Sequence, residues 1–391
     1  MTLTAATPAT TFAALAPVVA IGGVSISSPP CVSFSMADAN NNAIIGFGSK
    51  SQSATASVAS YPNLAFSLAK LVPGQSVPGA GTGPSKWVSY IVHNVPAKDA
   101  TTGVVAAAVP SRPGTDNTGT LTDNKNGTYT YCFWRDVTKM KDTIAGLTDP
   151  AGSSKADLGD LTYEPNLTHR LTIQISGNAP GTGTNTPDGK QVTPGVPMTN
   201  PVNVWYDFIP ATGRAAAATD LQRVVVAKES CNECHNKLGG VPGTKSQSFH
   251  GGVRYDPNYC VVCHTDQRKY GRSNAVSTAG KFPALTETKT VALDTDAAVI
   301  AGTRTAGTSV YSYSPSTYVA DGETMGDFPR HIHRIHMGAD LVKENYNYAN
   351  LAHNTKNFSL LGGGQRMCSK CHDNTKAAQA DNWNKVPSRL A

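Results

Sequence analysis

The sequence predicts a chain in two parts. A mainly β N-terminal region, of Greek-key, split-barrel or sandwich type, is followed by a loop-rich, mostly irregular and α region. Three observations predict this. Period-two alternation of apolar and polar residues is concentrated in the first half. Gly (36) and Pro (25) are plentiful in the 391 residues while charged residues are only 15%, which suits short strands joined by many turns. The string Cys-x-x-Cys-His occurs three times, always in the second half. A chain of this length exceeds one ordinary core. The change of character around Asp207–Gly213 divides it into domains 1–213 and 214–391.

Each β element has its own signature. Cys31–Met36 places Val32, Phe34 and Met36 on one face against Cys31, Ser33 and Ser35. Thr128–Trp134 does the same with Tyr129, Tyr131 and Phe133 opposite Thr128, Thr130 and Cys132, and Asp123–Gly127 before it is a turn. Leu171–Ile175 alternates again, and Pro/Gly/Thr-rich stretches at 72–84, 110–120 and 179–197 are connecting loops. Residues 12–26 are apolar but lack a basic flank and are broken by Pro17 and Gly22-Gly23. They read as an opening pair of strands and not as a signal peptide. Asp220 is expected to cap a short helix through Val224–Val226, and Val310–Tyr313 shows a weak strand pattern in a loop-rich insertion at 275–325.

The three motifs are Cys231-Asn-Glu-Cys234-His235, Cys260-Val-Val-Cys263-His264 and Cys368-Ser-Lys-Cys371-His372. Each is the attachment signature of a c-type haem. Two thiols one helical turn apart reach the vinyl groups of one porphyrin, and the next histidine falls under the iron as its proximal ligand. One copy would leave open a structural zinc pair or a redox dithiol. Three copies, each followed by His, point to three covalent haems. Covalent haem is attached outside the cytoplasm, so an export signal is expected to have been removed or to lie upstream.

The formal charge of +6 belongs to the polypeptide alone. Three haems bring about six propionate charges and could cancel it. No Lys/Arg-rich run supports nucleic-acid binding. Arg254, Arg268, Lys269 and Arg272 lie near the motifs and could pair with propionates, although a solvated basic face accounts for each equally well. No stretch reaches the length of a membrane-spanning helix.

Three proximal histidines leave seven others, and a six-coordinate electron carrier needs one distal ligand per iron. His250 precedes Gly251-Gly252, a pair that lets backbone approach a flat ring closely. Asp327-Phe-Pro-Arg330 opens a helix with Pro329 in its first turn, and His333 and His336 follow at i, i+3 on one face, where they can serve two different haems. His250, His333 and His336 are therefore the expected distal ligands. His331 is expected to be exposed, His93 and His169 to be structural, and His353 to be an ordinary loop residue.

Several strings carry a resemblance to a known family: NGTYTYCF at 126–133, LTHRLTIQISG at 167–177, YDFIP at 206–210, and the CNECHNKLGG block. FHGGVRYDPNYCVVCHTDQRKYG at 249–271, HIHRIHMG at 331–338 and CSKCHDNT…DNW at 368–383 extend it. Through them the chain resembles the OmcA/MtrC family of outer-membrane decahaem c-type cytochromes. The resemblance implies an N-terminal Greek-key or split-barrel domain followed by a multihaem domain. It also implies bis-histidine haems stacked into a conducting chain at the extracellular face of the outer membrane. Electrons would pass to Fe(III) or Mn(IV) minerals, to flavins, or to a partner such as a porin–cytochrome conduit or another multihaem cytochrome. The His of the HGG string and both His of the IH-x-IH string match ligand positions of that pattern, at His250, His333 and His336. Two departures stand out. The family continues with further motifs after a PSRLA-like string whereas this chain ends at Ala391, so a truncated haem domain is expected. Cys31 and Cys132 replace ordinary strand residues, and an oxidising compartment favours their pairing as a disulfide.

An electron carrier without a substrate pocket is the leading expectation. The alternative is a multihaem reductase of small oxyanions with one open haem site. In a third reading the β region is an adhesion or docking module to which the haems are secondary.

Overall fold

A computed structural model describes residues 1–54, 56, 58–77, 81–95, 109–146, 157–242, 249–268, 274–283, 286–291, 309–314, 318–348, 351–354 and 368–372. The N-terminal part is built from two antiparallel sheets. We number its strands β1 (Val18–Ser25), β2 (Cys31–Ala37), β3 (Leu64–Val72), β4 (Lys86–Ser89), β5 (Thr120–Asp123), β6 (Thr128–Cys132), β7 (His169–Ile175), β8 (Val202–Ile209) and β9 (Arg214–Ala215). One sheet has the order β1-β2-β6-β5 and the other β9-β8-β7-β3-β4.

The alternating residues do what their spacing requires. Val32, Phe34, Met36, Tyr129, Tyr131 and Phe133 are all buried on the inner face of the first sheet. Phe66 of β3 meets them from the second sheet. Its ring stacks on Tyr131 at 3.8 Å and lies 5.9 Å from Phe34, which in turn stacks on Tyr129 at 5.4 Å. Each such buried aromatic contributes about 1.5–3 kcal/mol relative to leaving it in water. The core that joins the sheets draws on residues from Leu3 to Phe208. Cys31 and Cys132 stand directly opposite each other in the β2–β6 register and are joined by a disulfide.

β7 differs from the other strands because all seven of its residues are buried. His169, Leu171, Ile173 and Ile175 face the sandwich core, where the His169 ring lies 5.6 Å from Tyr90 and 5.9 Å from Phe208. Arg170, Thr172 and Gln174 project from the opposite face. That polar face is covered by the C-terminal part of the chain.

Local expectations are corrected in two places. Residues 9–13 form a short helix, so the opening segment supplies one strand and not two. No helix forms at Val224–Val226. Asp220 is held instead by Arg214, at 2.5 and 2.8 Å, and by the Ala217 amide, and its side chain is therefore not free to cap. The weak pattern at 310–313 is a strand, Ser309–Ser314, paired with Thr286–Val291.

Candidate haem-binding site

Four helices carry the motifs and two of the three partner histidines, α1 (Lys228–His235), α2 (Pro257–Cys260), α3 (Phe328–Met337) and α4 (Cys368–Cys371), while His250 lies on the short turn Phe249–Gly252. In each motif the chain winds through one turn. The His264 amide donates to the Cys260 carbonyl and the His372 amide to the Cys368 carbonyl, both at 2.9 Å. That turn places both thiols and the following imidazole on one side of the helix. α2 starts where Asp256 accepts from the Asn258 amide at 2.8 Å and Pro257 occupies the first turn.

The motif histidines meet the histidines expected opposite them. The ring centres of His235 and His336 are 6.2 Å apart, those of His372 and His333 are 6.2 Å apart, and those of His264 and His250 are 5.9 Å apart. Two imidazole nitrogens each about 2 Å from one metal put the ring centres about 6 Å apart. The histidines are therefore spaced to hold one iron per pair, and the six motif thiols are unoxidised and available for thioether bonds. The Asp327–Pro329 helix start is present, and α3 turns His333 towards the third motif and His336 towards the first.

Hydrogen bonds orient these rings. His264 Nδ1 lies 3.0 Å from the Gly326 carbonyl and His336 Nδ1 lies 2.8 Å from the Ile332 carbonyl, contacts that orient both rings. Partial desolvation favours the neutral form, the form that binds iron, in four of these imidazoles. The His250 pKa is pushed down to about 4 by burial, then by Arg254 and His264. His235, His333 and His372 are also lowered, with burial the main cause. Burial pushes the Cys231 thiol up to about 12, and Cys260, Cys263 and Cys371 are raised for the same reason.

His250 has φ 51° and ψ 32°, and Gly251 and Gly252 continue at positive φ. A Cβ at Gly252 would sit 2.7 Å from Pro242 N and Val241 C, so that glycine allows close packing of two backbone segments. Gly251 has nothing within 4 Å of its hypothetical Cβ among the described residues, so its positive φ is what favours glycine there.

The second motif is seated on the polar face of the five-stranded sheet. Arg170, fully buried, donates to Asp207 at 2.6 and 2.7 Å and to the Asn258 carbonyl at 3.1 Å. Its guanidinium lies between Trp87 and Trp205, 4.5 and 4.4 Å from their ring centres. Gln174 accepts from Arg254 and Tyr259, and Gln267 spans Ser89 and the Leu158 carbonyl. Val262 packs on Ala69, Leu71 and Trp87. Motifs one and three are neighbours, linked by an ion pair between Glu233 and Lys370. Cys231 of the first motif lies near enough to interact electrostatically with Cys371 of the third and Cys260 of the second.

Two histidines depart from expectation. His331 is half-buried, and its Nδ1 is buried with no hydrogen-bond partner among the described residues. His353 is fully buried, and both of its ring nitrogens are likewise unpartnered. Of the basic residues near the motifs, Arg254 is bonded to Gln174, and Arg268 is bonded to the Gly322 carbonyl and pairs with Asp157. Lys269 and Arg272 lie outside the described residues, as does the Asp-Asn-Trp string after the third motif.

Residues 223–391 match the family described as outer membrane cytochrome MtrC/MtrF-like, domains II/IV. The chain is 30% identical over 236 residues to the multiheme cytochrome MtrC of Shewanella baltica (strain OS185). Both similarities support an OmcA/MtrC-family multihaem cytochrome. The similarity to that MtrC covers 60% of this chain, which spans about a quarter (25%) of the relative's length. Among solved structures, the outer membrane decaheme cytochrome OmcA aligns with 83% of this chain and 33% of its own, at 18% identity and a TM-score of 0.43. MtrC from Shewanella baltica OS185 aligns with 64% of this chain and 29% of its own, at 26% identity and a TM-score of 0.38.

Proposed function

We propose that this chain carries electrons through three covalently bound haems at the extracellular face of the outer membrane. The observation that carries the reading is the pairing itself, since each motif histidine has a second imidazole at the separation one iron requires. In this reading Cys231, Cys234, His235 and His336 hold one haem. Cys260, Cys263, His264 and His250 hold a second, and Cys368, Cys371, His372 and His333 a third. The haems supply reversible one-electron chemistry at iron. The polypeptide holds the paired imidazoles at fixed spacing and orients them. Residues 1–213 form the β domain and 214–391 the haem domain.

The neighbour relations of the motifs support a path in the spatial order second, first, third. The second haem would lie against the β domain. Fe(III) or Mn(IV) minerals, flavins or a partner cytochrome are the acceptors that fit an exposed carrier of this family. Three closed pairs leave no iron open, so reduction of small oxyanions is the weaker reading.

Intact mass of the purified chain should show three haem additions. The optical spectrum should be low-spin and unchanged by CO, and the reduced protein should be oxidised by flavin or ferric oxide. A CO-binding high-spin fraction would transfer the case to the reductase.

A further inference from the structure

Beyond the three assigned pairs, His264 has a second imidazole at metal-bridging distance. The His331 ring centre lies 6.4 Å from that of His264, with the two planes only 13° apart. The assigned partner, His250, lies at 5.9 Å with planes 71° apart. Both separations bracket the 6.2 Å of the other two pairs.

The two competitors are held differently. His250 sits in left-handed backbone, φ 51°, on a four-residue turn followed by two positive-φ glycines. A non-glycine residue there is held in strained backbone. His331 is on α3, the helix that already presents His333 and His336, and its amide is bonded to Asp327 O at 2.8 Å. Behind it stands His353, its ring centre 5.3 Å from that of His331. The three unpartnered nitrogens noted above belong to these two rings. Buried polar atoms of this kind are normally satisfied, and a ligating imidazole normally donates its other N–H to a second residue.

We propose that His331 is an alternative axial ligand for the iron carried by His264, exchanging with His250, and that His353 is the positioning residue that accepts its Nδ1–H. This rests on the haem assignment above. In the exchange one neutral imidazole leaves and another arrives, so the charge at the iron is unchanged. The coordination changes from crossed rings on a strained loop to nearly parallel rings on a helix.

The test uses the full haem-loaded chain, with haem number fixed first by intact mass so that failure of the haem assignment is seen separately. Low-temperature EPR distinguishes the states, because crossed axial rings give a highly anisotropic low-spin signal and near-parallel rings a rhombic one. His250→Ala should keep all irons low-spin and convert one crossed-ring signal to a rhombic one. His250→Ala/His331→Ala should leave one iron of three high-spin and CO-binding, and His250→Ala/His353→Ala should show part of that high-spin fraction. A high-spin iron in His250→Ala alone, or a fully low-spin double variant, would overturn the proposal. If His250→Ala does not retain its haems, the wild type decides. A minor rhombic component at the second haem that vanishes in His331→Ala supports the exchange, and identical spectra refute it.

Discussion

The β part and the motif-bearing part use their apolar residues in opposite ways. In the first, residues from Leu3 to Phe208 close one continuous core between two sheets. In the second, α3 and α4 have no buried residue at all, and the described apolar burial falls in small groups such as Phe282, Ala320 and Met325. A segment that removes so little of its own surface from water cannot offset the entropy of ordering it. The difference shows that the β part contains its own reason to fold, whereas in the proposed reading the filling of the other part comes from macrocycles.

The strongest test of this contrast is to prepare the chain without haem. Amide exchange should show β2, β3, β6 and β7 still protected, while α1, α3 and α4 lose protection altogether. Equal protection in both parts would remove the contrast. The next largest effect is expected at the junction. Arg170→Met leaves Asp207 buried without its partner and should cost about 3–5 kcal/mol in chemical denaturation of the haem-loaded protein. If the parts are independent, the same change should leave the potential of the second haem untouched; if Arg170 seats that motif, the potential shifts with the stability. The smallest effect belongs to the β core alone. His169 is fully buried and its pKa is pushed down to about 4, chiefly by desolvation. Folding therefore favours the neutral ring. The β part should hold its full stability above about pH 6.5 and lose about 3 kcal/mol as the pH falls to 4. His169→Gln should flatten that slope, measured by urea unfolding at several pH values.

Much of this was legible in the residues. The alternation at Cys31–Met36 and Thr128–Phe133 specifies both the strands and their buried faces, because a strand turns successive side chains to opposite sides. The Cys-x-x-Cys-His spacing and the i, i+3 histidines specify which groups share a helix face. The illegible features depend on contacts distant in sequence. β7 reads as an ordinary half-buried strand, and nothing local reveals that Arg170 and Gln174 receive residues 254–259 on their side of the sheet. His331 was expected to face solvent because it is two residues from His333. Its environment is instead set by Tyr348, at 4.9 Å, and His353, which fold back from outside the helix. His353 carried no local signal of burial beyond its identity as a histidine.

One consequence of α3 concerns assembly. A single ten-residue rod presents imidazoles towards all three attachment motifs, and none of its side chains is buried by protein alone. Protein contacts such as Arg334 to Glu323 anchor this rod, and in the proposed reading the neighbouring rings complete its setting. A chain missing one prosthetic group would leave this rod with a dangling contact and a loosened grip on the remaining two. Incomplete molecules would then differ from finished ones in rigidity as well as in colour, giving cellular quality control a mechanical handle on maturation.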